Sequence, residues 1–327
     1  MPSYIALRLI SAVAMALLAS LVIFLISNFV PGDPVLAQLG DILASDPAVV
    51  AEWRAKWGLD LPLWEQYAVF LWRALHGDLG RSFVYNEPAL QLILQKMPAT
   101  LELAFGSMFI SILIGLPLGM YAGLKPESVG SKLIMAGSIL GFSLPTFWVG
   151  LMLIMVFAVQ LGWLPSTGRG DTAYFLGLQW SFLTANGLSH LVMPAVNLAL
   201  FKISLVIRLT RSGVRETMLM DYVKFARAKG LSPARVTFVH VFKNILIPVV
   251  TVVGLELGST IAFSVVTESV FAWPGMGKLI IDSINVLDRP VIVAYLMIIV
   301  VMFITINLIV DLLYSALDPR VRLEGKA

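Results

Sequence analysis

Gly275-Met276-Gly277-Lys278-Leu279 is the nearest approach in this chain to a phosphate-binding loop, with two glycines and a lysine in close succession. The match stops there. Such a loop needs a glycine five residues before Gly277, where Ala272 stands, and a serine or threonine after the lysine, where Leu279 stands. ATP is therefore not expected to bind this chain. His76, His190 and His240 lie far apart, none with a second ligand one helical turn away, so no metal site is expected. The lack of cysteine excludes disulfides, thiolate metal sites and a cysteine nucleophile. No nucleophile elbow, Ser/His/Asp order or paired-carboxylate motif stands out, so the chain is not expected to be an enzyme.

What remains is charge and proline in apolar surroundings. Glu256 sits near the middle of a long apolar run. A charge at the centre of a membrane helix costs roughly 2.5–3.5 kcal/mol on insertion scales, so it faces protein or a water-filled cavity. Two readings stay open: Glu256 lines a path and meets a solute amine, or it hydrogen-bonds to a neighbouring helix. Ser143-Leu144-Pro145-Thr146-Phe147 interrupts another apolar run, and the proline frees a carbonyl that Ser143 or Thr146 can satisfy. That bend either lines a path or is a plain kink. Ser143, Pro145, Phe147 and Glu256 are thus the candidate path residues. Glu268 and Asp311, near the ends of apolar runs, read as structural.

The elements holding these residues must be membrane helices. The chain is 58% hydrophobic and 13% charged, with mean hydropathy +0.88, against a charged fraction of about 25% in soluble domains. Six spans are expected, near 9–30, 100–124, 132–161, 190–207, 245–267 and 290–313, giving an all-α polytopic membrane protein. The first is too long for a signal-peptide core and has no clear cleavage site, so it reads as retained. A proline-rich break at Pro31-Gly32-Asp33-Pro34 opens a polar excursion over 31–96. In it Trp53, Trp57, Trp64 and Trp72 either pack a small subdomain or rest at headgroup level. A five-helix core over 97–317 and a tail over 318–327 complete the chain. Gly115, Gly119 and Gly123 bare one face of the second span, as do Gly137 and Gly141 in the third and Gly254 and Gly258 in the fifth. Packing within the chain and packing against a partner subunit account for those strips equally well. Lys202 is placed near the inner end of the fourth span, snorkelling toward water.

Lys and Arg set the orientation. The N-terminus, the 125–132 turn, the 208–243 loop and the tail carry 14 of them, against 8 in the longer opposite loops. Positive charge stays in the cytoplasm, so both termini and the 208–243 loop are expected there. That loop holds the chain's most amphipathic stretch. Apolar residues from Met218 to Ala226 fall at helical spacing, and Asp221, Lys224 and Arg227 line another face. Gly230 can end the helix in the left-handed conformation, Ser232 can cap the next, and Pro233 suits its first position. The spacing predicts an elbow: a short helix over 218–229, a tight turn, and a second helix leading into the apolar run from Ile245. A plain basic loop resting on anionic lipid is the simpler reading, but it would not need such specific turn chemistry.

The elbow resembles the coupling loop of permease subunits of ATP-binding-cassette importers, whose loose signature is Glu-Ala-Ala, three residues, then Gly. Ala226 and Gly230 match its second alanine and its glycine; Lys224 and Phe225 replace the glutamate and first alanine. The run Ala226-Arg227-Ala228-Lys229-Gly230-Leu231, with Asn244-x-x-Ile247-Pro248, is similar to the dipeptide/oligopeptide branch. So are Pro31-Gly32-Asp33-Pro34, Trp163-Leu164-Pro165 and Thr267-Glu268-x-x-Phe271-x-Trp273-Pro274-Gly275-x-Gly277. The resemblance implies a type I importer permease in the bacterial inner membrane, importing peptides or related small solutes. It implies four partners besides the lipid bilayer: a second homologous permease, two cytoplasmic ATPases and an external solute-binding protein. ATP and magnesium would sit on the ATPases, and no nucleic acid is involved. ATPase coupling is then expected at Asp221, Tyr222, Lys224, Phe225, Ala226, Arg227, Ala228, Lys229, Gly230 and Leu231. A self-contained transporter driven by an ion gradient is the alternative; it predicts inverted repeats and several deep acids, and only Glu256 lies deep.

Overall fold

The structure is a computed structural model that describes residues 2–29, 35–36, 39 and 46–317. Pro31-Gly32-Asp33-Pro34, the Trp57 side chain and the 318–327 tail lie outside the described residues. The chain divides into two compact units, Pro2–Met97 with Lys278–Ile304, and Pro98–Gly277 with the chain from Thr305 onward. Among the described residues five helices are long and apolar enough to cross a membrane, and there are six spans if one sharply bent helix pair is counted as a single span.

In the first unit, α1 (Pro2–Phe29) is the first span. Asp46 caps α2 (Pro47–Trp57), accepting from the Ala48 amide at 2.9 Å, and Gly58 ends it at φ +70°. Helix α3 (Leu63–Leu75) lies along α1 and turns its aromatic face inward. Tyr67 and Phe70 stack on Phe24 at 5.5 and 5.7 Å, and the Tyr67 hydroxyl meets Ser20 Oγ at 2.9 Å. Trp64 and Trp72 point outward, away from this packing. Buried Asp288 accepts from Ser82 Oγ and from the Phe83 amide at 3.1 Å, which pins the 78–88 loop.

In the second unit the glycine strip of α4 (Ala89–Leu124) is taken up within the chain by α7 (Ala185–Met218). A Cβ on Gly115, Gly119 or Gly123 would fall 2.9, 2.6 or 2.5 Å from the Cβ of Val206, Thr210 or Val214. Gly254 likewise meets Val310. The open pairing of the strips is thereby decided, at those four positions, in favour of intrachain contact. Gly137 has nothing within 4 Å.

The third span is α5 (Val129–Ser143) and α6 (Thr146–Gln160), bent by 103°. Ser143 Oγ donates to the Ile139 carbonyl at 2.8 Å. This is far beyond a proline kink; the chain leaves the helix at Leu144 and restarts. An antiparallel hairpin follows, β1 (Ala173–Phe175) and β2 (Leu178–Trp180), turning at Leu176 and Gly177 with both φ positive. Glu102, buried in α4, anchors it by accepting from the Ser181 amide, Ser181 Oγ (2.8 Å) and Arg169 Nε (3.0 Å). Arg169 also donates to the Gln179 carbonyl at 2.6 Å. Arg169→Ala leaves a buried carboxylate without its cation and is expected to cost about 3 kcal/mol. Limited proteolysis should then cut at 165–180, which the parent resists.

Helix α7 extends past both ends of the expected fourth span of 190–207. It runs eleven residues further, because Arg208, Arg211 and Arg215 are good helix formers and nothing breaks the chain before Leu219. The 208–243 stretch is therefore a loop only from Leu219. After α8 (Asp221–Ala228) the second elbow helix, α9 (Pro233–Phe263), begins at Pro233 as expected, is π-wound over Val236–Val241 and continues into the fifth span. Two short helices, α10 (Val265–Val270) and α11 (Met276–Asn285), lead to α12 (Arg289–Leu317), which holds the last candidate span, over Arg289–Leu312.

Candidate functional site

The elbow forms as the residue types require. Met220 is extended, α8 begins at Asp221, and Gly230 turns the chain at φ +77° with its amide on the Arg227 carbonyl at 2.9 Å. Ser232 Oγ accepts from the Arg235 amide at 3.4 Å, with Pro233 first in α9. The predicted helix was longer at its start: Met218 ends α7, and Leu219 and Met220 form an exposed bend.

The two faces of α8 differ. Val223 and Ala226 are buried in a cluster with Met120 of α4, Val206 and Val214 of α7, and Val241 and Ile245 of α9, with Leu231 packed against it. The elbow is thus keyed to three membrane helices. Its outer face carries Asp221, Tyr222, Lys224, Phe225, Arg227, Ala228 and Lys229, all exposed. Phe225 is 62% exposed under the Lys229 ammonium, 4.6 Å from the ring centre. Tyr222 holds its place through Asn244 Nδ2, and Arg227 reaches Met218 Sδ at 3.3 Å. Lys224 bonds Asp221 at 2.9 Å and, by that bond and its charge, holds the Asp221 carboxyl below the usual carboxylate range. Any stability from this pair is present at neutral pH and lost only as pH falls through that lowered value.

Among the candidate path residues, Ser143, Pro145 and Phe147 are exposed at the α5–α6 bend. The neighbouring Phe142 stacks on Phe201 at 4.7 Å, with the Arg208 guanidinium 4.9 Å from its ring. Glu256 is not unpartnered. Its carboxylate pairs with Lys202, whose ammonium also donates to Ser259 Oγ at 3.2 Å, while Ser259 Oγ donates to Glu256 at 2.9 Å. Lys202 therefore does not snorkel; it lies at the centre of the 34-residue α7, facing α9. Sequence reasoning missed the pairing because the partners are 54 residues apart; two opposite charges in apolar runs were the available signal.

The glycines of the would-be phosphate loop have another use. They close around the chain's own carboxylate: a Cβ on Gly275 or Gly277 would strike Glu268 Oε2. Glu268 is fully buried and accepts from Thr100 Oγ1 at 2.7 Å and Ser264 Oγ at 2.9 Å. Thr100 in turn accepts from the Met276 amide at 2.8 Å. An internal carboxyl group stands where a phosphate would.

Residues 115–323 match the family described as "Binding-protein-dependent transport system inner membrane component", and residues 1–104 match its N-terminal counterpart. The chain belongs to this family of transport permeases. It is 39% identical to the di/tripeptide transport system permease protein DppB of Pseudomonas aeruginosa, covering 98% of this chain and 99% of that protein. It is 35% identical to the dipeptide transport system permease protein DppB of Escherichia coli, covering 93% and 94%. Among solved structures, the inward-facing MetNI methionine ABC transporter superposes with a TM-score of 0.55 at 19% identity, covering 71% of this chain and 99% of that one. The permease thus has the type I importer fold, in a multi-pass membrane protein.

Proposed function

We propose that this permease forms half of the translocation path of an ATP-driven importer of di- or tripeptides, and that α8 couples it to a cytoplasmic ATPase. The carrying observation is the two-faced elbow. Val223 and Ala226 lock it to α4, α7 and α9, while Phe225 and Tyr222, ringed by Lys224, Arg227 and Lys229, stand open. A short helix of that kind fits a groove on a partner. When two ATPases close on ATP and magnesium, a docked α8 moves as a rigid body and tilts α7 and α9. The path, with Ser143, Pro145 and Phe147 along it, then alternates between outward- and inward-open. A second, homologous permease supplies the other half, and an external binding protein delivers the peptide. The relatives' dipeptide names support the substrate class, and the distribution of Lys and Arg supports cytoplasmic termini.

Phe225→Glu tests the docking. It leaves the inner face of α8 untouched and should cut the ATPase recovered with the purified complex about tenfold, the size of a lost hot-spot aromatic. Equal recovery with wild-type uptake overturns the assignment. Gly230→Val is expected to act more mildly. No atom lies within 4 Å of the added Cβ, so only the positive φ opposes it, at about 1–2 kcal/mol. Uptake per ATP hydrolysed should fall while the complex still assembles.

A further inference from the structure

The Lys202–Glu256–Ser259 cluster lies between two candidate membrane helices, α7 and α9, yet is not sealed: the side chains are 12% and 29% exposed for Lys202 and Glu256. A charged pair is not left against lipid, so the open side faces water or protein. Beside it the Phe201 ring lies 5.3 Å from the Lys202 ammonium and stacks on half-exposed Phe142, next to the α5–α6 bend. The exposed Arg208 guanidinium also lies over the Phe142 ring, 4.9 Å from its centre. Polar groups and aromatic faces thus share one wall.

We infer that Lys202 and Glu256 are a recognition pair for the termini of a zwitterionic peptide, Lys202 taking the carboxylate and Glu256 the ammonium; this rests on the import reading above. The empty state and the loaded state are both charge-compensated. Without solute the two side chains neutralise each other, and a zwitterion inserted between them replaces one ion pair by two. The Lys202 stem is long and flexible, and the gap needed for a dipeptide is about 7 Å, two extended residues. Ser259 holds Glu256 in place when Lys202 withdraws. A solute with a blocked end leaves one charge uncompensated, which makes the pair a filter as well as a contact.

The complete complex in proteoliposomes, with partner permease, ATPases and binding protein, provides the test. Lys202→Met/Glu256→Gln removes both charges together, so no lone charge is left buried. ATP-driven alanyl-alanine uptake is expected to fall at least about tenfold, as for a site that has lost its paired contacts, with ATPase recovery unchanged. Uptake within about twofold of wild type overturns the inference, since a merely structural pair tolerates joint removal. Ser259→Cys gives a second readout that does not depend on that variant folding, because the chain has no native cysteine. Alanyl-alanine should slow its reaction with a water-soluble thiol reagent, and N-acetyl-alanyl-alanine amide should not. Equal effects of the two peptides, or a thiol that never reacts, overturn it. If the wild-type complex imports no dipeptide with ATP, the import reading itself fails; if it does and both tests are flat, only the recognition pair fails.

Discussion

Gly119→Val should leave almost no folded permease. An added Cβ would lie 2.6 Å from Thr210 Cβ and 2.8 Å from the Ile207 carbonyl oxygen. Neither neighbour can rotate away: a Cβ is fixed by its own backbone, and the carbonyl is backbone of a helix held by its own hydrogen bonds. Relief therefore requires α4 and α7 to separate along their whole seam, where Gly115 and Gly123 make equally close approaches to Val206 and Val214. Overpacking a tight core costs about 1–3 kcal/mol where side chains alone must shift, and this site should reach or exceed the upper figure. Gly119→Ala should fall within that range, and Gly137→Val, with open space around it, should be near neutral for the chain's own stability. Thermal unfolding of the purified chain in detergent orders the three variants. A Gly119→Val protein that melts with the parent would mean the helices do not meet at this strip.

The seam shows what a sequence can carry. Glycines four apart announce a close approach, but the approaching helix is chosen by geometry that no local spacing records. The elbow was legible almost in full, because Gly230, Ser232 and Pro233 act on backbone within one or two residues of themselves. The length of α7 was not. Its arginines mark the end of apolar sequence but not the end of the helix, since they are strong helix formers. The break at Leu144-Pro145 was legible as a bend; its 103° required the next helix to restart in a new direction. The β hairpin was not legible either. Leu176 sits at positive φ, which leucine disfavours locally, and the anchor of Glu102 and Arg169 holds the flanking chain. Lys202 and Glu256 looked like two separate charges because their attraction acts across helices. For the hairpin and the Lys202–Glu256 pair, the deciding contact was distant in sequence.

Glu268→Ala should be the most damaging single change outside the helix seam. It takes the carboxylate acceptor from the buried Thr100 hydroxyl, while Ser264 Oγ still has the Ile261 carbonyl at 3.1 Å, and it opens a void between Gly275, Gly277 and α10. An unsatisfied buried donor costs about 1–3 kcal/mol and a large-to-small cavity about 2–5, so a net loss of about 4 kcal/mol is expected. The main chain of the same residue also takes part in the turn. The Trp273 amide donates to the Glu268 carbonyl at 2.8 Å, and the Trp273 indole donates to the Ala99 carbonyl at 2.8 Å, one residue before Thr100. The 268–276 turn is thereby fastened to α4 at two adjacent residues. Thr100→Val should cost less, about 1–3 kcal/mol, since Glu268 keeps its Ser264 bond. Combined with Glu268→Ala it should cost less than the sum, by about 0.5–3 kcal/mol of coupling. Unfolding midpoints of the two single variants and the double variant measure that coupling directly. Strict additivity would show that Thr100 and Glu268 stabilise the turn independently. The glycines around Glu268 would then need a reason other than closing on its carboxylate.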